Sequence, residues 1–305
     1  MNPQVIFLAG PTASGKSAGA VKLAGMLNAE IFSADSRQFY RGMNIGTAKI
    51  TASEKAGIPH HFLDFLNPNE TFTAGQYEQK ALVLAKEIFV NKDTIIVTGG
   101  SGLYAQAFIS GFSPIPEISP EIHEGVLKDW EELGLAFLQQ ELLEKDPELY
   151  QTMDIQNPRR VCRAIEVIRQ SGQKFSVLRA IPPAPRPFQV FSFALEVPRA
   201  ELYKRIEDRV SVMLELGLKA EVQQLLDSGY TPDLPALQAV GYPEMIQHIS
   251  GKITELEMID LIRQHTRNYA KRQLTWLRKD ASLKWIKPEE IELIPEWIEQ
   301  EKNPK

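Results

Sequence analysis

The chain has 305 residues, a formal net charge of −5, 43% hydrophobic residues, 24% charged residues and a single cysteine, Cys162. The length predicts about two domains, and the composition is that of a soluble globular protein with ample core. One cysteine excludes an internal disulfide and a cysteine-based zinc finger, and the acidic balance by itself argues weakly against a nucleic-acid partner.

The opening MNPQVIFLAG has no basic region before its apolar run, and the run ends in a glycine loop. It therefore reads as a buried strand, Val5 to Ala9, and not as a secretion signal. No apolar run is long enough to span a membrane, so no membrane partner is expected and the expected location is cytoplasmic. The octet Gly10-Pro11-Thr12-Ala13-Ser14-Gly15-Lys16-Ser17 comes next, and a helix is predicted from about Ser17 to Leu27. Glu30 to Ala34 reads as a second strand, residues 74–90 have helical periodicity, and Thr94 to Val97 is a third strand running into Gly99-Gly100. Strands alternating with helices predict an α/β fold, a parallel sheet covered by helices.

From 117 to 187 the pattern turns helical and charged, closing on the proline-dense IPPAPRP. This stretch is expected to be a helical insertion into a core made of residues 1–116 and 188–305. The core resumes with a strand, Val190 to Val197, and a helix from about Arg199 to Leu216 that Gly217 stops. A last helix over about 254–279 is followed by a short tail.

Gly10, Gly15, Lys16 and Ser17 fit the phosphate-loop pattern G-x-x-x-x-G-K-[ST] between a strand and a helix. The glycines let backbone N–H groups turn towards an anion and the helix adds its positive dipole end. Lys16 brings a mobile positive charge and Ser17 a hydroxyl suited to Mg2+. ATPases of this class place a carboxylate at the end of a later strand. Here that strand ends in Thr98-Gly99-Gly100-Ser101-Gly102, without one. Small residues there suit the entry of a second substrate better than the clamping of a metal. Asp35 ends the second strand and would face the same crevice as Lys16, because ligands of open parallel sheets bind beyond the strands' carboxyl ends. It is a candidate general base or water-mediated metal ligand; the plainer alternative is a helix N-cap. Arg205 and Arg209, four apart, share a helical face, with surface pairing to Glu201 or Glu207 as the plainer role, favoured for Arg205.

Two segments depart from the acidic average. Arg159, Arg160, Arg163 and Arg169 surround only Glu166, and residues 263–279 hold six basic residues and no acid. Arg263, Arg267 and Lys271 recur every four residues and Arg278 follows seven later, a basic stripe suited to phosphates. Tyr269 and Trp276 mark another, packed face.

The blocks GPTASGKS (10–17), SADSRQFYRGMNIGTAK (33–49), PHHFLDFLNP (59–68), TGGSGLY (98–104), NPRRVCRAIEV (157–167) and TRNYAKRQLTWLR (266–278) together resemble the tRNA dimethylallyltransferases, or tRNA isopentenyltransferases, in their short bacterial form. The resemblance implies that the loop, Gly10 to Ser17, holds the diphosphate of dimethylallyl diphosphate and not ATP. It implies transfer of the five-carbon group to N6 of the adenosine just 3′ of the anticodon, with Mg2+ as the cofactor. Lys16, Ser17 through the metal, and Arg209 would stabilise the leaving diphosphate, Asp35 would accept the amine proton, and Ser101 would line the channel between the substrates. The partner would be the anticodon loop of tRNA. Asp35, Ser36, Arg37, Gln38, the run Arg159-Arg160-Val161-Cys162-Arg163, and the turn Gln238-Ala239-Val240-Gly241-Tyr242 would contact the extruded base and its neighbours. Two departures stand out: His123 where many relatives carry arginine, and Pro243 where many carry a basic residue. A monomer is expected. The rival readings are a small-molecule kinase, a free-nucleotide isopentenyltransferase and a non-catalytic RNA-binding protein. The missing second carboxylate and the two basic surfaces weigh against the first two, and intact Lys16, Ser17 and Asp35 against the third.

Overall fold

A computed structural model describes residues 3–303. The chain forms two compact units, an α/β unit running through Ile109 and again from Arg186 onward, and a helical unit, Ser110–Pro185.

In chain order the α/β unit begins with β1 (Gln4–Ala9), α1 (Lys16–Leu27), β2 (Glu30–Ser33), β3 (His60–His61), α2 (Ala74–Ile88), β4 (Thr94–Thr98) and α3 (Gly102–Ile109). The helical unit supplies α4 (Pro120–Leu133), α5 (Leu135–Lys145), α6 (Pro147–Thr152), α7 (Pro158–Ser171) and α8 (Phe175–Ala180). The chain then adds β5 (Gln189–Leu195), α9 (Arg199–Glu215), α10 (Leu218–Asp227), α11 (Tyr242–Ile249), α12 (Glu255–Leu277), β6 (Lys284–Ile286) and α13 (Ile294–Lys302).

The six strands make one sheet in the order β3-β2-β4-β1-β5-β6, with every pair parallel. The central strands read as unbroken apolar runs because helices cover both faces. Alternation sorts the side chains between those faces. Val5, Phe7, Phe32, Ile95 and Val97 join the core under α2, α3, α10, α11 and α12. Ile6, Leu8, Ile31, Ile96 and Phe193 join the core under α1 and α13. Helix α12 starts at a capping box in which Thr254 and Glu257 satisfy each other's backbone N–H groups. Buried Met258, Ile262, Ala270 and Leu277 hold it against the unit.

The 26 residues from Ala34 to Pro59 contain no helix or strand. They are anchored by an aromatic cluster in which Phe39 packs on Phe65, Phe72, Tyr77 and Tyr104. A structureless stretch of this length in a compact unit is usually functional.

The helical unit has its own core, including Val126, Leu138, Leu142, Val161, Cys162 and Ile165. Buried Asp146 caps α6 by accepting from Leu149 N and also accepts from Ser176 N and Oγ. Arg169 of α7 pairs with Asp129 and Glu141.

Two features differ from the sequence expectation. The two-residue β3 is too short and too polar to show an alternating signal. The region after α12 is not merely a tail: β6 extends the sheet beside β5, and α13 buries Ile294 and Ile298 in the core that α1 shares. Replacing a fully buried isoleucine removes transfer energy and leaves a cavity, at a cost of about 2–5 kcal/mol. Ile294→Ala is therefore expected to lower the free energy of unfolding by that amount, seen as a lower denaturant midpoint at an unchanged slope. An unaltered midpoint would show that α13 does not stabilise the unit.

Candidate functional site

The phosphate loop wraps the N-terminus of α1. Gly15 takes φ 91°, a left-handed conformation open to glycine at no steric cost. A Cβ at Gly10 would lie 2.5 Å from Ser14 Oγ, so the loop closes only over a glycine. Ser14 Oγ is buried without a hydrogen-bond partner among the described residues. Lys16 Nζ donates to Pro11 O at 3.3 Å. Burial draws its pKa down to about 8, Asp35 pulls it back up, and Arg209 pushes it further down. Ser17 is exposed at the helix start.

Two helices reach the loop. From α9, Arg209 donates to Thr12 Oγ1 at 3.0 Å, its pKa lowered by burial against the opposing charges of Asp35 and Glu54. Arg205 pairs with Glu201, the expected surface role, and also donates to Ser14 O at 3.3 Å. From α12, Gln273 accepts from Thr12 N at 2.8 Å and donates to Gly100 O at 2.9 Å.

Asp35 stands just beyond β2, beside the turn after β4. The two turns approach so closely that a Cβ at Gly99 would lie 2.3 Å from Ala34 O. Asp35 Oδ1 accepts from Arg37 N at 3.0 Å and Oδ2 from Gly100 N at 3.2 Å. No helix starts here, so Asp35 does not have the N-cap role of the plainer reading; it holds a turn, and the carboxylate keeps acceptor capacity on both oxygens. Ser101 Oγ accepts from Ser36 N at 3.0 Å and shares a 2.9 Å hydrogen bond with Ser36 Oγ. Arg37 donates to Pro235 O.

Thr12, Asp35, Arg37, Ser101, Arg209 and Gln238 all line one cavity of about 460 Å³, within the usual range for small-molecule sites of about 300–1,000 Å³. Gly241 ends this wall at φ 104°, its N–H donated to buried Glu244 at 2.8 Å.

Several site residues were missed by sequence reasoning. Tyr269 was read as packed, but it lines the cavity and donates to Gly100 O at 2.8 Å, its pKa raised by burial and by Asp35. Arg272 was read as one basic residue among six, yet it lines the same cavity and lies over the Tyr269 ring. Gln273 carried no signal. Tyr269, Arg272 and Gln273 share one helical face by i, i+3, i+4 spacing, but spacing alone does not say that this face meets the cavity.

The basic stripe is less free than its spacing implies. Arg267 sits 3.4 Å from Glu207 and over Tyr203, and Arg263 is half-buried. Lys271 and Arg278 are exposed and make no ion pair among the described residues.

On the helical unit, Arg159 and Arg160 are exposed at the start of α7. Arg163 and His123 meet buried Glu166, at 3.4 and 2.7 Å. Val161 and Cys162 are core residues, so the span 159–163 offers a partner its arginines but not these two side chains. Arg169 is neutralised by its two carboxylates and leaves the free basic surface.

A phosphate loop, a carboxylate and a half-buried arginine on one cavity beyond the carboxyl ends of a parallel sheet define a P-loop α/β protein. The IPP transferase family profile matches residues 38–280. The tRNA dimethylallyltransferase of Cytophaga hutchinsonii is 44% identical over 299 residues, covering 98% of this chain and 97% of that protein. The tRNA dimethylallyltransferase 1 of Trichlorobacter lovleyi is 43% identical, covering 94% of each. Among solved structures, the tRNA isopentenylpyrophosphate transferase of Bacillus halodurans superposes with TM-score 0.72 at 35% identity, over 98% of this chain and 96% of that one. A eukaryotic dimethylallyltransferase acting on tRNA gives 0.81 at 25% identity, over 94% and 74%. The chain belongs to the tRNA dimethylallyltransferase (IPP transferase) family.

A Lys16 pKa lowered to about 8 by burial predicts a pH dependence for an anion bound against it. Below about 8 the free protein carries the ammonium that would face the anion. Above it the lysine is neutral, so binding must take up a proton and affinity falls by up to about tenfold per pH unit. Calorimetric titration of inorganic diphosphate between pH 7 and 9.5 is expected to show this slope, and Lys16→Met to abolish it. A flat wild-type profile would remove Lys16 from the anion site.

Proposed function

We propose that the protein transfers the dimethylallyl group of dimethylallyl diphosphate to N6 of the adenosine immediately 3′ of the anticodon in tRNA. The observation that carries this reading is a single cavity lined by Thr12 of the phosphate loop, by Arg209, and by Asp35 with its Gly100–Ser101 support. An anionic leaving group and a base acting on a nucleophile are thereby served in one cavity.

In the reaction the N6–C1 bond forms and the bond from C1 to the diphosphate oxygen breaks. The electron pair leaves with the diphosphate, and the N6 proton passes to Asp35. Charge growing on the leaving group is met by Lys16, Arg209 and the loop N–H groups, donors already oriented before the reaction. Asp35 needs no large movement, because two backbone N–H groups fix its plane while lone pairs remain for the amine.

Magnesium fits the donor set. It is a hard cation that binds few protein oxygens alongside phosphates and water, and Ser17 presents one such oxygen at the helix start. No cluster of three or more His, Cys, Asp or Glu that could form a protein cage exists among the described residues. Ser17 would hold the ion, which would supply further neutralisation of the leaving diphosphate.

For the RNA, Lys271 and Arg278 on the α/β unit and Arg159, Arg160 and Arg163 on the helical unit are the phosphate contacts. Arg267 contributes after releasing Glu207. His123 supports the arginines of the helical unit through Glu166, with less phosphate contact than arginine would provide. No described helix is long and apolar enough to cross a membrane; the cytoplasm and a monomeric state complete the reading.

Labelled dimethylallyl diphosphate, Mg2+ and unmodified tRNA, without ATP, are expected to yield labelled tRNA. Label in free AMP or ATP alone would instead identify a free-nucleotide enzyme. Asp35→Ala is expected to cut turnover by about 10²-fold or more with tRNA affinity nearly intact; unchanged turnover removes Asp35 as the base. Lys271→Ala is expected to weaken tRNA binding and reduce the slope of log affinity against log salt by about one. An unaltered slope would leave Lys271 a solvated surface charge.

A further inference from the structure

The cavity has a wall that the reaction scheme leaves unexplained. Gly46, Thr47 and Ala48 line it from the long β2–β3 connection, and Gln238, Ala239 and Val240 line it from the turn before α11. Neither segment lies in a helix or strand that would fix it to the other, apart from the 3-10 turn ending at Gln238. Both end on Glu221 of α10. Its Oε2 accepts from Asn44 N at 2.8 Å and Ile45 N at 2.7 Å. Its Oε1 accepts from Gly46 N at 3.0 Å and from Tyr242 Oη at 2.7 Å. Three successive backbone N–H groups thus form a concave anion seat, filled by the protein's own carboxylate.

Tyr242 completes the link. It is fully buried and follows directly on the 238–241 turn. A Cβ at Gly46 would lie 2.5 Å from its ring, so the two wall segments meet in direct contact there. On its far side the 46–48 segment is tied back to the Asp35 turn, since Gln38 donates to Thr47 O at 3.1 Å and Ala48 O at 3.3 Å.

We propose that Glu221 is the positioning residue of the acceptor pocket, setting the spacing between segments 46–48 and 238–240 so that the flipped purine is held against Asp35. This rests on the tRNA-prenylation reading. Each oxygen of Glu221 receives two donors, so an amide in its place turns its NH2 group against two backbone N–H donors in one orientation and against the Gly46 N–H in the other, where the Tyr242 hydroxyl must turn round to accept. Charge-assisted hydrogen bonds are roughly twice as strong as neutral ones, which is why an isosteric glutamine does not substitute. The diphosphate loop has no hydrogen bond to this cluster, so the effect falls on the acceptor and spares the donor.

The test compares Glu221→Gln and Tyr242→Phe with the wild type in steady-state transfer to tRNA. In parallel, the affinity for inorganic diphosphate and thermal unfolding are measured. Glu221→Gln is expected to raise KM for tRNA by about tenfold or more, as the loss of charged hydrogen bonds implies. Its kcat is expected to fall by less than about threefold and its diphosphate affinity to stay within about twofold of wild type. Tyr242→Phe, which keeps the ring, is expected to raise the tRNA KM by about two- to fivefold, and the double variant to be no worse than Glu221→Gln, because the two groups act as one unit. A folded Glu221→Gln with an unchanged tRNA KM overturns the proposal, and so does diphosphate affinity falling in step with tRNA. Where Glu221→Gln does not unfold cooperatively, Tyr242→Phe decides, and an unchanged tRNA KM there overturns it. A wild type that labels no tRNA at all overturns the prenylation reading itself, and is seen before any variant is compared.

Discussion

The site depends on the contact between two turns at the carboxyl end of the sheet. Ala34 N donates to Thr98 O at 2.7 Å and Ser101 N donates to Ala34 O at 3.0 Å. Side chains at 99 and 100 would block this, the first against the Ala34 backbone and the second against Asp35 Oδ2 and Tyr269 Oη. Bare backbone at both positions lets Gly100 N–H reach the carboxylate and Gly100 O receive two donors from α12. Gly100 thereby joins α12, through its carbonyl, to the Asp35 carboxylate, through its N–H, and Gln273 carries the link on to Thr12 in the phosphate loop. The phosphate loop and the Asp35 turn are held in register by hydrogen bonds to backbone, which resist displacement better than a chain of surface ion pairs.

Much of this was legible in the sequence because it obeys short-range rules. The phosphate loop is contiguous, β1 and β4 are unbroken apolar runs, and a strand end places Asp35 at a crevice by topology alone. Arg209 was reached by family resemblance, and its contact with Thr12 could not be read from spacing. Tyr269 and Gln273 were illegible for a different reason. Helix α12 has both a solvent face and a cavity face, and nothing local separates a polar residue aimed at water from one aimed at Gly100 O. Glu221 was hidden because its partners, 44–46 and 242, lie far away in sequence. The C-terminal strand was missed because Lys284-Trp285-Ile286 gains its strand character only from pairing with β5.

Electrostatics account for the acidic average alongside anion-binding surfaces. Some of the positive charge is spent internally: Arg169 on two carboxylates, Arg186 on Glu78, and Lys49 on Asp64 and the Tyr40 carbonyl. Arg159, Arg160, Lys271 and Arg278 are among the exposed charges, and they lie on or at the end of helices. Near the cavity Lys16 and Arg209 are held in a drier setting, where each interacts more strongly with an anion than a surface lysine would. Net charge is therefore a poor guide to what this protein binds.

The single thiol has a consequence of its own. Cys162 is buried among the apolar side chains of the helical unit, and burial raises its pKa, with the nearby Glu166 charge adding to the shift. Thiolate forms and meets reagent only when that unit opens. The alkylation rate of the native protein is accordingly a clock for the breathing of the helical unit alone, with no background from the sheet or the phosphate loop.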